Sequence, residues 1–204
     1  MDLPRRLAVS LLLLSACLPG PAAAAEVSRE GHLVVGAKLG AGVARLGDQV
    51  PEEDTTETGW AGNFSMGYGI SPRWFLGLEA STWSDFGGSS PGNADLTFRA
   101  FGPSVAWYPG GGAFYLRGIV GWGRLEFQVQ TVDGLHAKTD ESGFGFALGA
   151  GYEWRISTLV ALGPQLDLAY LDVGEVGAFT QVLGQSFDFS AWWLNATLSA
   201  HFYF

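Results

Sequence analysis

Ser199 and His201 stand two residues apart near the end of the chain, and Asp167 lies in an earlier segment of similar texture. A hydroxyl, an imidazole and a carboxylate are the parts of an acyl-transfer triad, in which the imidazole takes the hydroxyl proton and the acid orients the imidazole. Spacing by two puts Ser199 and His201 on one face of a strand. A triad also needs the acid within hydrogen-bond reach of the base, and no spacing in the sequence supplies that. His32, His136 and His201 have no partners at metal-ligand spacing. Gly145, Gly149 and Gly151 resemble a nucleotide fingerprint only faintly, because they fall by twos with no strand-to-helix junction. Asp48, Glu52, Glu53, Asp54 and Glu57 form an acidic run without the spacing of a calcium loop. The expectation is therefore no catalytic residue, no metal, no cofactor and no enzymatic activity.

The elements that carry these residues are read from period-two alternation. Strand-like segments are expected at 31–44, 60–70, 74–84, 96–108, 113–127, 143–156, 159–172 and 186–204. In the last, Trp192, Leu194, Ala196, Leu198, Ala200, Phe202 and Phe204 share one face, and Asn195, Thr197, Ser199 and His201 the other. In the sixth, Phe144, Phe146, Leu148, Ala150, Tyr152, Trp154 and Ile156 oppose four glycines, Ala147, Glu153 and Arg155. The fourth is less tidy: Arg99 and Phe101 share a parity, which suggests a bulge near Gly102-Pro103.

Connections alternate in length. Ser71-Pro72-Arg73, Pro109 to Gly112 and Ser157-Thr158 are tight, whereas 45–59, 85–95, 128–142 and 173–185 are long and mostly polar. An even-stranded up-and-down barrel would collect all short turns, and both termini, at one end. Most segments reach about 10 residues, enough to cross a bilayer as tilted strands. Aromatic residues gather at segment ends, as two interfacial girdles would require. Tyr68, Trp74, Trp107, Tyr108, Phe114, Tyr152, Trp154, Phe202 and Phe204 mark the short-turn end. Trp60, Trp83, Phe98, Trp122, Phe144, Tyr170 and Trp192 mark the other.

Composition agrees with lipid as the solvent. The 204 residues are 48% hydrophobic but only 15% charged, with 30 Gly and 8 Trp. The net charge of −9 argues against nucleic acid as a partner. Arg5 and Arg6, the apolar stretch 7–18 and Ala22 to Ala25 read as a secretory signal cleaved near Ala25. The rival reading takes Leu14-Ser15-Ala16-Cys17 as a lipobox with Cys17 lipidated. Cys17 is the only cysteine, so removing it leaves no disulfide, thiolate metal site or cysteine nucleophile.

With the signal, the eight alternating segments, the loop asymmetry and Phe202 and Phe204 at the end, the chain resembles the small eight-stranded outer-membrane β-barrels (OmpA/OmpX-like). The likeness is to barrel-only members and spans Glu26 to Phe204. It implies an all-β, eight-stranded antiparallel up-and-down transmembrane barrel, with residues 1–25 as signal and 26–204 as the barrel domain. It also implies location in the bacterial outer membrane, contact with outer-membrane lipid and lipopolysaccharide, and Phe202 and Phe204 as the signal read by the barrel-assembly machinery. The acidic run then has divalent-cation bridging to lipopolysaccharide as its functional alternative.

So narrow a barrel is filled by side chains. Inward candidates are Lys38, Asn63, Ser65, Glu79, Ser81, Arg117, Glu153, Gln165, Asp167, Asn195, Thr197, Ser199 and His201. Lys38 and Arg117 are expected to pair with Glu79, Glu153 or Asp167, since unpaired buried charge is costly. The expected polar network is Lys38, Glu79, Arg117, Glu153, Asp167, Asn195 and His201. The leading functional expectation is a non-enzymatic membrane anchor with surface loops for adhesion, recognition or envelope integrity, its surface partner unknown. The alternatives are a small-solute or ion pore and a soluble lipocalin-like ligand carrier.

Overall fold

The computed structural model describes residues 28–46, 56–85, 94–130, 136–175 and 188–204. Nine strand segments run in order: β1 (Leu33–Leu46), β2 (Thr56–Ser71), β3 (Trp74–Asp85), β4 (Ala94–Trp107), β5 (Phe114–Gln130), β6 (His136–Tyr152), β7 (Trp154–Arg155), β8 (Val160–Glu175) and β9 (Asp188–Tyr203). β6 and β7 are one stave interrupted at Glu153, since both pair with β8. Eight antiparallel staves result. β1 pairs with β2 on one side and with β9 on the other, from Val34 opposite Tyr203 to Leu46 opposite Ala191. That seam closes the sheet and leaves no edge along the barrel wall.

The polarity is that of a membrane barrel. The odd residues of β1 point outward, with Leu39 66% exposed, while Val34, Lys38 and Ala44 point in. Exposed Phe64, Leu78, Leu148, Leu166, Leu194 and Leu198 continue the outer apolar band around the wall. A lipocalin would carry its apolar face inside, so that alternative does not hold.

Turn chemistry fixes the short-turn end. Ser71 Oγ accepts from the N–H groups of Arg73 (3.3 Å) and Trp74 (3.1 Å), and Ser157 Oγ does the same for Leu159 (3.2 Å) and Val160 (3.1 Å). Between β4 and β5 a short 3-10 turn, Pro109–Gly111, places Gly110 and Gly111 at φ of 73° and 72°. At the other end the staves outrun the expected bounds. β5 and β6 each hold 17 residues and stay paired out to Gln130 opposite His136. About 9–11 residues suffice to span a bilayer, so this hairpin projects beyond it.

Two expectations need correction. The bulge near Gly102-Pro103 is absent: β4 alternates without a break, and its register against β3 is continuous. Arg99 is simply an outward residue near the loop end, 2.9 Å from Glu126. Bulges lie instead at Gly69/Ser71 and Asp172/Gly174. The girdle assignment also fails for three residues. Tyr108, Trp83 and Phe98 are buried inside the barrel. The remaining girdle residues lie on the outer wall or at the mouth. Trp74 stacks on Trp107 (centroids 6.1 Å) at the short-turn end, and Tyr170 packs on Trp192 (4.5 Å) at the other.

Candidate functional site: the filled lumen

The lumen holds three layers, and the strand period decides what enters each. Nearest the short turns lies a hub around Glu153, whose side chain is fully buried. Glu153 interrupts β6/β7, and its N–H still donates to Ala113 O (2.9 Å). Its Oε1 receives the Tyr108 hydroxyl (2.9 Å) and meets His201 Nδ1 (2.5 Å). Its Oε2 receives the Tyr203 hydroxyl (2.8 Å) and Arg29 Nη2 (3.2 Å). Burial, with the Glu153 carboxylate beside it, pushes the Tyr108 phenol well above its usual range and keeps it a donor.

The middle layer is a chain of charges. Lys38 Nζ donates to Glu79 Oε1 (2.8 Å), as does Asn63 Nδ2 (2.5 Å). Arg117 bridges two strands, contacting Glu79 through Nη1 and Asp167 Oδ1 through Nε (2.7 Å). Gln165 Nε2 donates to Asp167, and Tyr115 donates to Gln165 Oε1 (2.5 Å). Small residues make this possible. A Cβ at Gly149 would collide with Asp167 Oδ1, and one at Gly151 with the Tyr115 ring. Gly149 and Gly151 thus leave room for the neighbouring strands' polar side chains. Between the hub and this layer lies a cavity of about 30 Å³, bordered by Lys38, Ser65, Glu79, Ser104, Arg117 and His201. It holds one or two waters at most.

The third layer is apolar. Phe98 is sandwiched between Trp83 (centroids 5.3 Å) and Trp193 (5.2 Å), with planes within 23° and 18°. Leu96, Ile119, Leu125 and Leu171 join this buried cluster, with five alanines between them. Such stacking geometry adds to the gain from area burial alone.

All seven residues of the expected polar network are buried on the inner face. Lys38, Glu79, Arg117 and Asp167 are brought together. Glu153 and His201 pair in the separate hub, and Asn195 lies nearer the aromatic layer, opposite Gly42 and Asp167 in register. Lys38 and Arg117 pair with Glu79 and Asp167, two of the three expected carboxylates, and Glu153 takes a different cation. Its cation is Arg29, which precedes β1 and has no strand parity to betray it. Tyr203 and Tyr115 also stand outside the expected network, although they share parity with His201 and Arg117. Trp193 shares parity with Asn195 and Trp83 with Glu79, so period two alone places both inside.

The triad does not assemble. Ser199 Oγ donates to Gly163 O (2.8 Å), His201 faces Glu153, and Asp167 is bound by Arg117 and Gln165. Among the described residues no three His, Cys, Asp or Glu side chains gather as a metal site. The expected signal segment, Cys17, and Asp48, Glu52, Glu53 and Asp54 lie outside the described residues; Glu57 is exposed on β2. Phe202 and Phe204 are exposed on the outer wall at the short-turn end, 41% and 67%.

A closed antiparallel barrel with an apolar outer band defines the class of the protein, and known proteins bear out that class. Residues 9–199 match the family model of the outer membrane protein beta-barrel domain, and the chain belongs to that family. It is thereby placed in the bacterial outer membrane. Among solved structures it is similar to Ail, the attachment invasion locus protein of Yersinia pestis, solved in complex with the heparin analogue sucrose octasulfate. That match has 13% identity and a TM-score of 0.52, covering 84% of this chain and 99% of that one. It is also similar to Neisserial surface protein A (14% identity, TM-score 0.53, 83% and 98% covered). No curated protein matches. At such identities the likeness speaks to the barrel and not to the loops.

Proposed function

We propose that this protein is a non-enzymatic, non-conducting outer-membrane anchor that displays its loops for adhesion, recognition or envelope integrity. The observation that carries this reading is the filled lumen. Three successive layers occupy the interior, and the hydroxyl, imidazole and carboxylate that chemistry would need are committed to other partners. What varies freely on such a scaffold is the set of segments at the long-loop end, and loops on a rigid frame are where binding resides.

In the same proposal, residues 1–25 are the export signal and 26–204 the barrel. Phe202 and Phe204 form the address read by the assembly machinery, and outer-membrane lipid and lipopolysaccharide surround the wall. Ail is an attachment invasion locus protein, and attachment is one activity that loops on a barrel of this kind can host.

The test is replacement of 47–55, 86–93 and 176–187 by short Gly-Ser linkers in the full chain on cells. The expected result is an intact barrel with loss of surface attachment or envelope phenotype. Retention of the phenotype in the loop-replaced protein, with loss on neutralising Arg117, would overturn the proposal.

A further inference from the structure

We infer that the inner mouth of the barrel is a built guanidinium-binding site, filled in cis by Arg29, that locks the β1/β9 seam to the opposite wall. The two terminal nitrogens of the guanidinium are held, while Arg29 Nε is buried without an acceptor. Arg29 Nη1 donates to Gly111 O (3.2 Å), and Nη2 donates to Gly112 O (2.9 Å) and Glu153 Oε2 (3.2 Å). Its Cζ lies 3.6 Å from the centroid of the Tyr108 ring. A planar fork on two carbonyls, a carboxylate at its end and an aromatic face beneath it select guanidinium over ammonium.

The chain is shaped to deliver this side chain. His32 N donates to Arg29 O (3.2 Å), and Gly31, at φ of 79°, lets the chain turn before β1 begins. Gly31 N donates to Gly69 O (2.9 Å), and Gly69 N to His32 O (3.0 Å), tying the turn to β2. Arg29 is thus held under the mouth instead of extending β1.

What the site joins gives its role. Gly111 and Gly112 belong to the β4–β5 turn, and Glu153 to the break in β6/β7. Through Glu153 the site also engages His201 and Tyr203 of β9. Arg29 hangs from β1, the other side of the seam. β1 and β9 are the first and last staves, so no covalent turn joins them, and Leu33 N donates to Phe204 O (3.1 Å) at the lower end of their seam. The latch braces that end against fraying.

The experiment is amide hydrogen exchange on the full-length barrel in lipid vesicles. In Arg29→Ala, residues 32–36 and 200–204 should exchange about tenfold faster than in wild type, with mid-barrel amides unchanged. Millimolar ethylguanidinium should restore protection, and equimolar ethylammonium should not. Unchanged exchange in Arg29→Ala, or equal rescue by both cations, would overturn the inference. If Arg29→Ala yields no folded barrel, Arg29→Lys carries the test: it keeps the charge and loses the fork, and wild-type protection there would overturn the site.

Discussion

In the inner half of the lumen, Arg29, Glu153, Lys38, Glu79, Arg117 and Asp167 lock strands together through directed bonds. In the outer half, Trp83, Phe98 and Trp193 fill the same cross-section with stacked rings. The staves are continuous through both halves, and both interiors are buried. Only the side chains differ. The polar half has many partners per residue, so its cost of error is a buried unpaired charge. The aromatic half depends on volume, so its cost of error is a hole. The polar half fixes which strand lies opposite which. The aromatic half seals the end nearest the loops without constraining them electrically.

The contrast between the halves breaks most severely at Glu153. Glu153→Ala strands Arg29 and leaves three further polar groups facing an empty acceptor, and losing one partner of a buried ion pair costs about 3–5 kcal/mol. Urea unfolding of the vesicle-reconstituted barrel, followed by tryptophan fluorescence, should show that loss. A cost under about 1 kcal/mol would mean the hub is solvated.

Phe98→Ala should cost about 3–4 kcal/mol through the cavity it opens between two indoles. Phe98→Leu should cost under about 1.5 kcal/mol, because volume is largely kept. Equal losses for the two would show that ring stacking, not filling, seals the outer half.

The combined change Lys38→Met with Glu79→Met sharpens the contrast. It removes one charge of each sign and leaves Arg117 on Asp167. Apolar replacement of a buried pair is often neutral or better, so stability should stay within about 1 kcal/mol of wild type. Glu79→Met alone should be the more damaging. Smallest of all, Arg99→Ala on the half-exposed outer wall should change stability by about 0.2–1 kcal/mol, with salt erasing the difference.

Period two makes much of this legible in the sequence. It locates the staves and the inward Lys38, Glu79, Arg117 and Asp167. It fails where another rule is laid over it. Height along the barrel assigns Trp83 and Phe98 to a girdle, yet Trp83 has the parity of Glu79 and Ser81. Parity is the stronger constraint, because a one-residue slip turns the whole strand over. Arg29 is illegible for a different reason. It lies in a turn, where no periodicity exists, and its role comes from the convergence of Gly111, Gly112, Tyr108 and Glu153, distant in sequence.

Closure of the lumen by the three layers carries the proposed function. Single-channel recording of the purified full-length protein in planar bilayers tests it directly. A quiet membrane is expected for wild type at all ordinary voltages. Discrete conductance steps from the wild-type barrel would contradict it.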